Sequence, residues 1–300
     1  LCAQLKIAMY PASFEYVSPK SLDEALSFLE SHSDSSKVLA GGHSLIPLMK
    51  LRVVRPAYVI DIAKIPGLSY IKEEADEIRI GALTTYYEIE TSDIVKRYLQ
   101  ALAEGVSQVA DPQVRNWGTL GGSLCHCDPA GDAGSCVLAL RGRMVVQSKS
   151  GKRVIESDEW FVDTFQSALK PNEILTEIVF PKIKGKNAGA YLKLERRAGD
   201  YAIAAVAVQI SLDSSGVCSY AGIGLTAVGN TNLRAKKAEQ TILGKTLDDK
   251  VIEEAAQAAS EECKPVDDPL RGSAEYKRAM VKVLTKRALK RALERAKGGV

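Results

Sequence analysis

The sequence predicts a chain in two parts: an α/β N-terminal part containing a βαβ unit, and an α+β C-terminal part in which strands precede helices. Three observations predict it. At Val38 to Leu51 a short apolar strand runs into a glycine turn and a helix, and a further strand follows at Tyr58 to Ile62. Between Ala190 and Val228 three β-rich runs succeed one another with only turns between them. From Ala235 onward the chain turns to Ala, Leu, Glu, Lys and Arg, which favour helices. A length of 300 residues suits such a division, at roughly 100–200 residues per domain.

The first helix is announced by Ser21 and Glu24, which make a capping box, and carries an apolar stripe of Leu22, Ala25, Leu26 and Leu29. Polar residues from Ser31 to Ser36 end it, with His32 in solvent. Val38 to Ala40 form a strand, Gly41 to Ser44 a turn, Leu45 to Leu51 a helix and Tyr58 to Ile62 the second strand of the βαβ unit. Pro66 and Gly67 then break the chain. A strand at Ile78 to Ile80 and one helix from Ile94 to Val109 follow. Residues 111–134 are rich in glycine and show neither helical nor strand periodicity, so they read as a long functional loop. Beyond it lie a helix at Cys136 to Leu140, a strand at Met144 to Gln147 and a hairpin turn at Ser150–Gly151.

The strands of the C-terminal part are Ala190 to Glu195, Ala202 to Leu212 and Val217 to Val228. Its helices are Ala235 to Leu243, Asp249 to Cys263 and Ala274 to Lys297. The expected divisions are an extension at 1–8, subdomains at 9–65 and 66–183, and a C-terminal domain at 184–300.

Composition narrows the function classes. The net charge is only +3, and from Arg271 to Val300 ten Lys or Arg face Glu275 and Glu294, so the tail carries +8 and the rest −5. A basic amphipathic helix there, with Val281, Leu284, Ala288, Ala292 and Leu293 on its apolar side, reads as a packed helix with a solvated face or as a surface for an anionic partner. Nucleic-acid binding has no other support. Apolar runs such as Ala202 to Ile210 fall far short of the ~18–20 residues of a membrane span. Six cysteines without framework spacing imply free thiols and a cytoplasmic location.

Two glycine turns are the sharpest chemical signal, because glycine lets backbone N–H groups approach an anion closely. Both AGGHSL and TLGGSL are equally compatible with plain turns, and neither is the GxGxxG fingerprint or a P-loop. Cys125, His126, Cys127 and Cys136 lack the Cys-x2–4-Cys spacing of a structural metal site, so no metal is expected. No nucleophile, base and orienter can be assembled, and no catalytic residue is named; loops suited to phosphate without acid–base groups point to a cofactor that does the chemistry. Tyr201 reads either as a core aromatic or as a lid on a flat ring.

With these segments laid out, the chain resembles the FAD-binding medium subunit of the molybdenum hydroxylases, the group of carbon monoxide, xanthine and aldehyde dehydrogenases. The likeness rests on FEYVSPKSLDEAL, LAGGHSLIPLMKLR, DIAKIPGL, IGALTTYYEI, ADPQVRNWGTLGGSLCHCDPAGD, KPNEILTEI, RRAGDYAIAAVAV and RGSAEYKR. It implies a two-subdomain FAD-binding fold of the vanillyl-alcohol-oxidase type followed by a C-terminal α+β domain of antiparallel strands and helices.

By position it also implies cofactor contacts. Ala40, Gly41, Gly42, His43 and Ser44, flanked by Leu39 and Leu45, would form the first diphosphate loop. Thr119, Leu120, Gly121, Gly122 and Ser123 would form the second. Asp132 would contact FAD, Leu175 would be an apolar neighbour of the flavin, Lys193 matches after a one-residue shift, and Tyr201 would shield the isoalloxazine. Ser123 stands where many relatives carry Asn and Cys127 where Ala is common, and no insertion for an extra cluster is present.

The implied role is electron relay. A molybdopterin-binding large subunit and a [2Fe–2S] small subunit would complete a heterotrimer, with this chain's FAD passing electrons to a terminal acceptor. The competing class is a self-contained FAD-dependent reductase or oxidase, which needs a substrate pocket with its own acid or base.

Overall fold

The computed structural model describes residues 10–298, so the expected extension at 1–8 lies outside the described residues. The chain begins with β1 (Glu15–Val17), α1 (Leu22–His32), β2 (Ser36–Leu39), α2 (Leu45–Lys50) and β3 (Tyr58–Asp61). Its strands form a parallel sheet in the order β1-β3-β2, with the fully buried Ile60 opposite Val17 on one side and Val38 on the other. Parallel neighbours require crossovers, and α1 and α2 supply them. Ser21 Oγ accepts from Glu24 N at 3.2 Å, as expected, but the Glu24 carboxylate reaches Lys20 N at 2.7 Å, one residue before the cap. His32 is not in solvent. It stacks on Phe28 at 4.2 Å, meets Tyr58 edge-on at 4.7 Å and bonds Phe28 O through Nδ1, because the end of α1 lies against β3.

The middle of the chain contributes β4 (Ile71–Glu73), β5 (Glu77–Gly81), α3 (Tyr86–Thr91), α4 (Asp93–Tyr98), α5 (Gln100–Ser107), α6 (Pro112–Trp117), α7 (Leu120–His126) and α8 (Asp132–Ala139). It continues with β6 (Arg143–Ser148), β7 (Gly151–Glu156), α9 (Ser157–Trp160), β8 (Phe161–Asp163), β9 (Gln166–Ser167) and β10 (Ile174–Pro181). The antiparallel sheet here has the order β4-β5-β10-β6-β7, so its central strand is the last made.

Two expectations fail in this region. The single helix over 94–109 is broken at Leu99, where φ −130° and ψ 48° leave helical geometry. The break lets Tyr98 reach Glu73 on β4 at 2.7 Å while α5 packs on the C-terminal sheet.

The expected loop over 111–134 is instead α6, α7 and the start of α8, which begins at Asp132 rather than Cys136. The starts of α6 and α7 are capped: Asp111 accepts from Val114 N at 2.9 Å and Thr119 from Gly122 N at 3.1 Å. Each interior glycine costs a helix about 1 kcal/mol of propensity, which hides the period. Here the glycines serve close packing, since a Cβ on Gly121 would meet the Ala82 Cβ at 2.6 Å.

The C-terminal part comprises β11 (Lys186–Leu194), β12 (Ala204–Leu212), β13 (Cys218–Thr226), β14 (Leu233–Arg234), α10 (Lys236–Ile242), α11 (Asp249–Glu262) and α12 (Ala274–Ala296). The sheet is an antiparallel meander, β11-β12-β13-β14, and the α+β order expected of this part is what folds. All of β12 is buried because α12 covers it on one side and α5 and α8 approach from the other. That is why its sequence is a continuous apolar run without alternation. On α12, Val281, Ala288, Leu289 and Ala292 are fully buried, and each buried Val or Leu is worth roughly 1.5–3 kcal/mol over exposure. Its basic face turns to α11: Lys282 and Lys286 pair with Glu253 at 2.9 and 2.6 Å, and Lys290 with Asp249 at 2.6 Å. Among the described residues no helix is long and apolar enough to cross a membrane.

Candidate cofactor site

The first glycine turn leaves β2 at Leu39 and enters α2 at Leu45. Gly42 takes φ +77°, a conformation that costs any residue with a Cβ about 1–2 kcal/mol. The carbonyls of Gly42 and Ser44 start the helix by accepting from Ile46 and Leu48. No N–H of Gly41, Gly42, His43 or Ser44 donates to an acceptor among the described residues. Ser44 makes no side-chain cap either, His43 is exposed, and Leu39, Ala40 and Leu45 are half-buried. Four unengaged donors on one turn can surround an anion.

The second turn is built differently. Leu120 N donates to Thr84 O at 3.0 Å, Gly121 N to Ala82 O at 2.9 Å and Gly122 N to Thr119 Oγ1 at 3.1 Å. The amides offered to a phosphate by the glycine pattern are therefore held by the turn between β5 and α3 and by the helix cap. The half-buried Gly122 and Ser123 remain on the accessible side.

The two turns touch. A Cβ on Gly41 would fall 2.0 Å from Trp117 O, and one on Gly122 would fall 3.6 Å from Ala40 Cβ.

Asp132, the first residue of α8, is 6% exposed. Its Oδ1 accepts from Tyr191 OH at 2.6 Å and its Oδ2 from Lys193 Nζ at 3.1 Å. The Lys193 side chain is only 1% exposed; its ammonium also donates to Gln108 O at 3.1 Å and lies 3.3 Å from Glu195 Oε2. Burial pushes the Asp132 carboxyl up to about 6, against the pull of Lys193 and Tyr191. Helix α8 reaches this position because Gly222 and Gly224 on β13 admit it. A Cβ at either would lie within 2.0 Å of the carbonyls of Ala139 or Ser135. A Cβ on Gly131 would sit 3.9 Å from Ser123 Oγ, so the cluster adjoins the second turn.

Tyr201 is half exposed, with the Arg271 guanidinium 6.0 Å from its ring centre. Partial burial and the carboxylates of Asp128 and Asp132 hold its phenol above the usual range, which puts it beside the Asp132 cluster. Leu175, on β10 opposite Val146, is 4% exposed and packs in the core that also holds Leu120 and Leu124. The residues expected to share a site therefore come from six segments and converge, with Leu175 and Leu120 beneath the accessible surface.

Sequence reasoning missed Tyr191, Glu195, Gln108 and Trp117. Tyr191, Lys193 and Glu195 alternate along β11 and just past its end, a period of two that places them on one face. That signal was available. Nothing in the sequence marks Trp117, whose carbonyl lies where a Cβ on Gly41 would be.

The arrangement fits FAD. Free N–H donors suit its diphosphate, a buried carboxylate–ammonium pair suits the polar edge of the flavin, and a half-exposed tyrosine suits its flat face.

Comparison with known proteins agrees. Residues 12–183 match the family described as the FAD binding domain in molybdopterin dehydrogenase, and residues 189–292 match the CO dehydrogenase flavoprotein C-terminal domain. The chain is 40% identical to the carbon monoxide dehydrogenase medium chain of Hydrogenophaga pseudoflava, over 96% of this chain and 99% of that protein. It is 39% identical to the glyceraldehyde dehydrogenase medium chain of Sulfolobus acidocaldarius, over 94% and 99%. It superposes with a TM-score of 0.92 and 42% identity on a chain of the solved carbon monoxide dehydrogenase from Hydrogenophaga pseudoflava lacking the Mo-pyranopterin moiety, covering 96% of this chain and 99% of that one. This chain belongs to the family of FAD-binding medium subunits of the molybdenum-containing dehydrogenases, and is the flavoprotein subunit of a multi-subunit oxidoreductase.

Proposed function

We propose that the chain is the FAD-carrying electron relay of a heterotrimer, receiving electrons from the [2Fe–2S] clusters of a small subunit and delivering them to a terminal acceptor, while a molybdopterin-binding large subunit oxidises the substrate. FAD supplies the electron-carrying chemistry when bound. The residues of this chain bind, orient and cover it. Gly41, Gly42, His43 and Ser44 present N–H groups to the diphosphate, with Leu39, Ala40 and Leu45 shaping the turn. Thr119, Leu120, Gly121, Gly122 and Ser123 form the opposing wall. Asp132 and Lys193 meet the polar edge of the ring, Tyr201 covers it from solvent, and Leu175 supports the wall from the core. The binding subdomains are 9–65 and 66–183, and 184–300 closes over them.

The observation that carries this reading is the set of four unengaged N–H groups at Gly41 to Ser44, pressed against the Trp117–Gly122 turn. The experiment is to purify the chain, release its chromophore with acid and identify it, in parallel with Gly42→Val. Noncovalent FAD in the wild type and its loss from a folded variant support the reading; equal flavin content in both overturns it. Purification of the native complex should yield two further subunits, one with iron–sulfur absorption. Their absence would overturn the relay.

A further inference from the structure

The Asp132 cluster holds one ammonium between two carboxylates, so with both ionised it carries a net negative charge, with Asp132 and Lys193 buried and the Glu195 side chain 24% exposed. Lys193 Nζ is divided between Asp132 at 3.1 Å and Glu195 at 3.3 Å, and Glu195 Oε2 has no hydrogen-bond donor of good geometry among the described residues. Such a cluster resists a second negative charge. At an effective dielectric of about 20, a negative charge about 6 Å away strengthens proton binding by a carboxylate about a hundredfold.

We propose that Asp132, oriented by Tyr191 and Lys193 and loaded by the second carboxylate of Glu195, takes up the proton that balances charge when the bound flavin is reduced. The proposal rests on the FAD site described above. Two electrons from an iron–sulfur donor, with one proton on the ring, leave the reduced flavin with a negative charge. A second proton, taken from water, converts the Asp132 carboxylate to the acid. The balance is two electrons and two protons for each flavin reduced, one of the protons residing on the protein.

The surroundings leave Asp132 as the group placed to do this. From α8 itself, the Cys136 thiol is held far above its ordinary range by burial. On β11, burial and Asp132 hold the Tyr191 phenol far above its ordinary range, and Lys193 Nζ is engaged by both carboxylates. From α5 comes Glu104, which is paired with Arg295 of α12 at 2.6 Å, and from the residue just after it Gln108 O, which is neutral. Tyr86 of α3 and Tyr201 are held above the phenol range by burial, and Asp128 lies beside Tyr201. A buried carboxyl titrating at about 6 is about nine-tenths ionised at pH 7, and so is open to a proton when negative charge arrives.

The test is a dye-equilibrated potentiometric titration of the FAD-loaded chain between pH 6 and 8, with dithionite as reductant, on wild type, Asp132→Asn and Glu195→Gln. Each proton taken up per electron pair steepens the midpoint potential by about 30 mV per pH unit, the tenfold conversion for a two-electron couple. Asp132→Asn should lose that much slope relative to wild type. Glu195→Gln should move the bend in the wild-type plot to lower pH. Should Asp132→Asn fail to hold FAD, Glu195→Gln decides.

The apo chain gives an independent readout. A carboxyl that titrates at about 6 when folded and near ~3.9 when unfolded binds more protons in the folded state. Its stabilisation is therefore complete below ~4 and lost as the pH rises towards 6. Asp132→Asn should remove that part of the pH dependence of the denaturation midpoint. A slope unchanged in both variants, or stability profiles of wild type and Asp132→Asn that run parallel, overturns the proposal. If Asp132→Asn, Lys193→Met and Tyr201→Ala all keep the wild-type flavin absorption maxima, the ring lies elsewhere and the site assignment itself falls.

Discussion

At Gly41–Gly42 the chain leaves a parallel sheet with its N–H groups unengaged, whereas at Gly121–Gly122 the same dipeptide enters α7 with its N–H groups bonded to Ala82 O and Thr119 Oγ1. The surroundings differ as well. A Cβ on Gly42 would meet the end of the Ile46 side chain, which can move, while one on Gly121 would meet the backbone of Ala82, which cannot. The first pair keeps its N–H donors free, with Gly41 also pressed against Trp117 O, while the second pair is a packing joint whose donors are spent. Two identical dipeptides, each beside a hydroxyl residue, therefore fail in different ways when changed.

Gly121→Ala should have the largest effect on stability. Overpacking against fixed backbone costs about 2–3 kcal/mol, which corresponds to roughly 5–10 °C in the melting temperature of the apo chain. FAD affinity should fall only as folding falls. Gly42→Ala should lose about 1–2 kcal/mol from its positive φ, yet weaken FAD binding more than tenfold in a flavin-fluorescence titration because its amide shifts. An inverted ranking, with Gly42→Ala the less damaging to FAD, would break the comparison. The smallest change is Thr119→Val. It removes the acceptor of the Gly122 N–H, and the lost cap should cost about 1 kcal/mol in chemical denaturation. If Thr119→Val instead abolishes FAD retention in a folded chain, the second turn is a donor set after all.

The same contrast explains what could be read from the sequence. The helices α1, α11 and α12 were legible because apolar period and caps agree in them, and the strands β11 to β13 because β-rich runs are separated by turn residues. The helices within 111–134 were not, because glycine and proline erase the period, although Asp111 and Thr119 cap the starts of α6 and α7. Helix α3 had a signal that was passed over: Thr85 and Glu88 make a full capping box, each side chain bonding the other's backbone N–H. Strands β4, β8 and β9 are too short to show alternation. Of the site, the glycine turns and Tyr201 stood in recognisable segments, and Asp132 was reached only through the family likeness. Its partners Tyr191 and Lys193 come from a strand some sixty positions later in the chain, joined to it at 2.6 and 3.1 Å, and no local pattern encodes that pairing.

The order β4-β5-β10-β6-β7 has a consequence for biosynthesis. Ile80 and Met144 both pair with Ile178, so β5, already paired with β4, and β6, already paired with β7, each lack an inner neighbour until β10 has been made. While the ribosome is still extending the chain towards Pro181, β5 and β6 each present a row of unpaired N–H and C=O groups, the kind of edge that recruits other chains. Closure of this sheet, with the second turn packed against Ala82 beside it, is a late event governed by a long-range pairing. The nascent protein must therefore be kept apart from its neighbours for most of its synthesis before it has a finished surface on which a dinucleotide can settle.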